Sequence, residues 1–318
     1  MAGNSNLTNS ARNKQDEFYT QISMIENELK YYRNHFRDKV VFCNCDDPTW
    51  SNFWRYFAIN FGFLGLKKLI ATHYDTEKPT YKLELAKGTS GDRKLNEDDV
   101  IKTELSQNGD FRSSECIELL KESDIVVTNP PFSLFREYIS QLVKYKKSFL
   151  VIGNLNNITY KEITPLVMNN EVWLGRNSGH FWFRVPDWYE EKNTDFKIDE
   201  SGVKWRRMGN ICWYTNMDYP ERHEDMTLYK EYTEPEYPKY TNYDAIEVSR
   251  TEKIPVDYYG IMGVPITFLA KHNPEQFDIL GIDKDFTSDG GRFKLLVNGR
   301  EKTQYARLVI RNKQDHYK

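Results

Sequence analysis

No stretch of the chain approaches the roughly 18 consecutive apolar residues that a membrane-spanning helix needs. Residues 1–15 are polar and hold no apolar segment of the kind a secretory signal carries. They read as a loose, weakly basic tail, and the expected location is the cytoplasm. The four cysteines (Cys43, Cys45, Cys116 and Cys212) fall at neither zinc-type nor disulfide-scaffold spacing, which agrees with a reducing compartment. Six scattered histidines indicate no metal site. Nor is there a large excess of one charge: 44 Lys and Arg stand against 47 Asp and Glu, for a net −3. That argues against a generic polyanion binder, though a local basic face is still open. There is no internal repeat and no long low-complexity segment.

What the 318 residues do have is core-forming material, with 39% hydrophobic and 14% aromatic residues. Global disorder is excluded. The aromatic side chains serve either core packing, their commoner use, or stacking on bases. Ile22, Ile25, Leu29, Tyr32 and Phe36 recur at helical steps and predict a helix. Beyond them, short apolar runs alternate with helical stretches. Strands are predicted at Val40–Phe42, 68–74, 124–128 and 148–153, and helices at 52–64 and 133–147. This alternation predicts an α/β fold with a mostly parallel, doubly wound, Rossmann-like sheet. That domain is expected to span 16–170. A mixed region over 171–318 is expected to complete the sheet and to be β-rich.

In that second region, 231–243 is acidic, contains proline and reads as an exposed loop. His180–Phe183 reads as buried strand. Residues 292–313 hold seven positive charges and one negative, a net +6. Asn298-Gly299 lies inside that run as a hairpin turn signal. Arg292, Lys294, Arg300, Lys302 and Arg307 are therefore candidate phosphate contacts, with a solvated hairpin as the competing reading. Lys204-Trp205-Arg206-Arg207 is a weaker candidate.

The most informative residues are Asn129-Pro130-Pro131-Phe132, directly after the apolar run 125–128. Ligands of open parallel sheets bind at the carboxyl ends of strands. Two prolines fix the backbone and remove two N–H donors. What remains is a rigid edge of acceptors, the Asn129 side-chain oxygen and a prolyl carbonyl, suited to an amino group that donates twice. Phe132 offers a face to a flat ring. The competing reading is an ordinary strand-ending turn.

Asn-Pro-Pro-aromatic after a buried strand resembles the catalytic motif of amino-group methyltransferases that use S-adenosylmethionine. Asp16-Glu17-Phe18-Tyr19-Thr20 resembles the E-F-Y-T element that precedes the cofactor fold in adenine methyltransferases. With Cys43-Asn44-Cys45-Asp46-Asp47-Pro48, the chain from about residue 14 to near its end resembles the EcoRI-type adenine-specific DNA methyltransferases. The motif order resembles the gamma arrangement, which implies that the β-rich carboxy-terminal region 171–318 carries DNA recognition. The slot after the first strand departs from most such enzymes, since it contains no glycine.

The resemblance implies methyl transfer to the N6 amino group of adenine in duplex DNA, with the base flipped out, in restriction-modification or phage protection. It implies S-adenosylmethionine as cofactor, S-adenosylhomocysteine as product, and no metal. Asn129, Pro130, Pro131 and Phe132 would be catalytic. Phe18, Tyr19, Thr20, Asn44, Asp46, Asp75, Asp110 and Phe111 would hold the cofactor. Asp75 would accept from ribose hydroxyls, Asp110 from the adenine amino group, and Phe111 would lie against that ring. Tyr19 is a second stacking candidate. Capping or turn roles compete at Asn44, Asp46, Asp47, Asp75 and Asp110. The expected partner is double-stranded DNA, bound by a monomer, with a restriction endonuclease as a genetic partner. Rival readings are methylation of protein glutamine or RNA, and a DNA-binding relative without catalysis.

Overall fold

The structure, a computed structural model, describes residues 19–45, 47–86 and 99–313. The expected tail at 1–15, Asp16, Glu17, Phe18 and Asp46 lie outside them. The chain forms two compact units, 1–154 with 177–217, and 155–176 with 218–318. The division therefore does not run at residue 170, because 177–217 returns to the first unit.

The first unit opens on α1 (Ile22–Leu29), whose buried Ile25 and Leu29 lie on the predicted face. Strand β1 (Val40–Cys43) follows, then α2 (Asn52–Ile59) and α3 (Phe61–Leu64). The single helix expected over 52–64 is broken at Asn60, which sits at φ −95° and donates its side-chain amide to Tyr56 O (2.8 Å). Ser51 caps α2, its hydroxyl accepting from Phe53 N (3.2 Å). Strands β2 (Lys68–Thr72), β3 (Tyr81–Ala86) and β4 (Ile101–Glu104) come next. They are followed by α4 (Ser114–Glu122), β5 (Ile125–Thr128), α5 (Phe135–Lys144) and β6 (Ser148–Asn154).

Spatial order in the sheet is β4-β3-β2-β1-β5-β6. The pairs β2/β1, β1/β5 and β5/β6 are parallel, as the apolar β-branched runs predict. The sheet is nevertheless mixed rather than mostly parallel. Both β2/β3 and β3/β4 are antiparallel, as is the pairing of β6 with β9 (Lys204–Thr215). Past β9 lies β7 (Trp173–Arg184), which joins this unit from Asn177, while β8 (Phe196–Ile198) pairs with β9. Strands β3 and β4 carry few fully buried residues, so their sequences show none of the apolar continuity of the centre. His180–Phe183 is less buried than expected, with Phe183 alone enclosed.

One consequence of the order positions the site. From β1 the chain crosses to β2 on one side, and β5 leads to β6 on the other. The adjacent carboxyl ends of β1 and β5 therefore flank a topological switch point, where a crevice opens in such sheets.

The second unit contains the short helix α6 (Thr164–Met168) and a sheet of order β10-β11-β15-β12. Its strands are β10 (Ile246–Glu247), β11 (Met262–Pro265), β12 (Phe277–Ile282) and β15 (Arg307–Asn312). Separate from it stands the antiparallel hairpin β13 (Lys294–Val297) and β14 (Arg300–Thr303). The loop at 231–243 has exposed acidic residues as predicted, but Tyr237 and Tyr240 anchor it as buried side chains.

His272 in this unit titrates low, at about 4, because burial disfavours its charged form. Its Nε2 lies 3.1 Å from Phe277 O, so that nitrogen carries the proton of the neutral ring. Between pH 6.5 and 4 the unfolded chain binds a proton here that the folded chain refuses. Stability therefore falls on acidification through that window, with a slope approaching about 1.4 kcal/mol per pH unit. Urea midpoints at pH 7.5 and pH 5 should differ less in His272→Gln than in the parent.

Candidate active site

At the switch point lies a cleft of about 430 Å³, formed entirely within the first unit. It gathers Tyr19, Asp75, Asp110, Phe111, Asn129 and Pro131, six residues expected to share a site though they come from distant parts of the chain. Strand β5 explains the position of two of them. All four of its residues are buried and pair with β6, and Ile125 and Val126 pair with β1 as well, so the turn that follows is held at the sheet's centre. Asn129 is 7% exposed. Pro130 is buried, Pro131 half-buried, and Phe132 opens a short 3₁₀ turn into α5. Phe132 and Pro130 are not among the cleft-lining side chains.

The loop after β1 supplies Cys45, Asp47 and Trp50 to the cleft. Cys45 takes φ +75°, a left-handed conformation that glycine adopts at little steric cost. The glycine-type backbone is thus retained although the glycine is absent. Cys45→Gly is expected to relieve about 1–2 kcal/mol of left-handed strain, offset by about 0.5–1 kcal/mol of added chain entropy. A small rise in the urea midpoint would register the difference, and a fall would contradict it. Asp47 binds the loop together, accepting from Thr49 N (2.9 Å) and from the Tyr81 hydroxyl (2.9 Å).

Asn44 takes a different role from the one expected. It is 2% exposed, its side-chain oxygen accepts from the Tyr138 hydroxyl, and its carbonyl accepts from the Thr128 hydroxyl. It ties β1 to β5 and α5 and does not line the cleft. Thr20 is likewise buried and off the cleft wall, with its carbonyl accepting from Asn52 Nδ2 (2.7 Å). Its neighbour Tyr19 reaches the cleft because two backbone hydrogen bonds pin it to Arg184 (2.9 and 3.2 Å).

Asp75 follows β2. Its Oδ1 accepts backbone N–H groups from Glu77 (2.7 Å) and Lys78 (3.1 Å), and these hold the carboxyl below the usual range. Oδ2 takes no hydrogen bond from the described residues. Gly109 sits at φ +73° with His73 O only 2.0 Å from where a Cβ would stand, so no side chain fits there. That close approach delivers Asp110 and Phe111. Burial pushes the Asp110 carboxyl up, but Arg112 outweighs it and holds it low. Arg112 grips both carboxylate oxygens, through Nε (2.8 Å) and NH2 (2.7 Å). Phe111 is 5% exposed and meets Tyr138 edge-on at 5.0 Å between ring centres.

Sequence reasoning missed Trp50, His73, Tyr74, Arg112 and Trp188 in this cleft. Trp50 (62% exposed) and Trp188 (50% exposed) are the notable ones, since large aromatic side chains are rarely left in solvent. Four of the five sit within a few residues of a predicted site residue, and that adjacency was the available signal. Trp188 arrives with the returning segment 177–217 and had none.

The basic run is redistributed by its partners. Arg307 is corrected outright as a surface phosphate contact. Its side chain is 9% exposed and its guanidinium is bound by Glu247 at 2.7 and 3.0 Å. Arg292 pairs with buried Asp283 (2.6 Å), and Lys294 lies 4.0 Å from Glu301. Arg311 and Lys313 both reach Asp278, at 3.2 and 3.4 Å. Arg300 and Lys302 alone form no ion pair with a described residue. In the weaker candidate, Lys204 and Arg207 face Glu191 (4.0 Å) and Asp195 (3.4 Å).

A crevice lined with carboxylates and aromatic rings, beside an Asn-Pro-Pro turn at a sheet switch point, is suited to a nucleotide-like ligand. The family of adenine-specific methyltransferases typified by EcoRI matches residues 6–317. The chain is 50% identical to the Type II methyltransferase M.EcoRI of Escherichia coli, over 98% of each chain. It is 36% identical to M.MpnI of Mycoplasma pneumoniae, over 95% of this chain and 96% of that one. Identity is also 36% to M.MgeORF184P of Mycoplasma genitalium, with the same coverage. No solved structure matches significantly. The chain belongs to the EcoRI-type family, and it is a site-specific, adenine-specific DNA methyltransferase.

Proposed function

We propose that the cleft moves a methyl group from S-adenosylmethionine to the exocyclic N6 of an adenine turned out of duplex DNA. The observation that carries this reading is the rigid Asn129-Pro130-Pro131 turn at the end of β5, opening on a cleft that also holds Asp75, Asp110 and Phe111. The lining chemistry fits the cofactor. Asp75 Oδ2 is open to a ribose hydroxyl. Phe111 offers a ring face, and Asp110 with its Arg112 fork offers a polar edge for the adenine moiety. The carboxylates also suit a ligand with two positive centres. When bound, S-adenosylmethionine supplies a methyl group already activated by its sulfonium charge.

The chain's own part is positioning and fixed acceptors. The lone pair of an adenine amino group is delocalised into the ring. Accepting both of its N–H bonds, at the Asn129 side chain and the Pro130 carbonyl, draws that pair out of conjugation and leaves the nitrogen nucleophilic. No strong base is required, because an alkylated amino cation is itself acidic. Turning the base out costs roughly a few kcal/mol, and Tyr19, Trp50 and Phe132 are the rings proposed to receive it. The protein is proposed to act as a monomer within a restriction-modification pair, its endonuclease being a genetic partner.

Labelled methyl donor offered with unmethylated duplex DNA, RNA and protein extract tests the reading. It expects label in DNA as N6-methyladenine. Label in glutamine or RNA, with none in DNA, would overturn it.

A further inference from the structure

The hairpin β13–β14 is built from a buried root and a bare tip. At the root, Phe293 (0% exposed) and Leu295 (9%) join Tyr240, Ala245 and Val309 in one core cluster. Tyr243 stacks on Phe293 at 5.4 Å. Thr241 N donates to Lys294 O (2.9 Å) and Gln304 N to Phe293 O (2.9 Å). At the tip, Asn298 (φ +51°) and Gly299 (φ +75°) form a two-residue turn with both residues left-handed, the tight type I′ connection. Leu296 beside it is 64% exposed and Val297 42%. A protein gains nothing in folding by holding two adjacent aliphatic side chains in water.

The charges are sorted by face. Cross-strand partners share a face, and Val297 pairs with Arg300 while Leu295 pairs with Lys302. Arg300, Lys302 and Val297 therefore project together. Glu301, the sole acid of the 292–313 run, pairs with Leu296 on the opposite face. There it accepts from the Thr241 hydroxyl (2.7 Å) and lies 4.0 Å from Lys294. The five other cations of the run have carboxylate partners. The two with no such partner among the described residues stand on one face of a hairpin whose turn is flanked by exposed Leu296 and Val297.

We propose that this hairpin is a duplex-DNA wedge that enters tip first: Arg300 and Lys302 hold backbone phosphates from one face, while Val297 on that face and Leu296 on the other, which flank the turn, press against the base steps. A two-stranded ribbon fits the major groove, and aliphatic side chains at a base step unstack and bend the duplex. The inference rests on the reading of duplex DNA as substrate, and it assigns that substrate a second contact, distinct from the methyl-transfer cleft.

The test uses the full-length protein and a duplex containing the site mapped from its own N6-methyladenine products, so the substrate reading is checked beforehand. Arg300→Gln with Lys302→Gln should lower the slope of log affinity against log salt by about 1.8, since each phosphate contact contributes about 0.9. Leu296→Ser with Val297→Thr should leave that slope unchanged. It should weaken duplex binding roughly tenfold and reduce the bend seen by end-to-end energy transfer. All four side chains are on the surface, so unchanged urea midpoints are expected and serve as the folding control. Wild-type salt slope in the first variant, or wild-type affinity and bend in the second, overturns the wedge. So does a dimer in the parent that the second variant abolishes, because the tip would then be covered by another copy of the chain.

Discussion

Asn129→Ala should slow single-turnover methyl transfer by about a hundred- to a thousandfold, the usual cost of removing one fixed polar contact from a site that develops charge. Affinity for duplex DNA and for S-adenosylmethionine should hold within a few fold. The reason is local. Asn129 sits where β5 ends, between two parallel neighbours, and the prolines that follow leave its turn little freedom. Truncating the side chain removes an acceptor without disturbing the strand. A variant retaining half of the parent's rate would show that the amino group is gripped elsewhere.

Glu247→Ala should be the most destabilising change in the second unit. Glu247 and Arg307 have side chains 6% and 9% exposed, and the Tyr240 hydroxyl also donates to Glu247. Removing one partner leaves a buried guanidinium uncompensated, which typically costs about 3–5 kcal/mol. Burial, with the Glu247 carboxylate beside it in the parent, pushes the Tyr240 hydroxyl far above its ordinary range. Replacing both, as Glu247→Leu with Arg307→Met, should recover most of the loss. Urea unfolding of the three proteins checks this. A double variant no more stable than Glu247→Ala would contradict the desolvation argument.

The pair also shows where reading the chain linearly fails. Counting charges over 292–313 gives a basic patch, yet Arg307 finds its partner 60 residues away. Local charge is legible in a sequence, but neutralisation by a distant carboxylate is not. In the second half of the chain, Ile211 to Thr215 of the region expected to complete the sheet pair antiparallel with β6. The antiparallel strands β3 and β4, with few buried residues, carry little periodic signal. By contrast, β1, β5 and β6 announce themselves as short apolar β-branched runs, because strands buried on both faces must be continuous in that way. In the cleft, Asp75 and Asn129 were singled out by their places just past β2 and β5, where ligands of such sheets bind, and Asp110 and Phe111 by resemblance to the family. The position of Asn44 suits a ligand contact and a strand tie equally well, and the Tyr138 hydroxyl that ties it comes from 94 residues on.

Within the cleft the proposed labour is divided: Asp75 holds the donor and Asn129 activates the acceptor. Measuring S-adenosylmethionine affinity and single-turnover rate in parallel for Asp75→Ala and Asn129→Ala tests it most directly. Asp75→Ala should weaken donor affinity at least tenfold, about 1.4 kcal/mol, with the rate recovered at saturating donor. Asn129→Ala should do the reverse, with full donor affinity and a lost rate that no donor concentration restores. Parent-like donor affinity in Asp75→Ala, or a rate restored by added donor in Asn129→Ala, would contradict it.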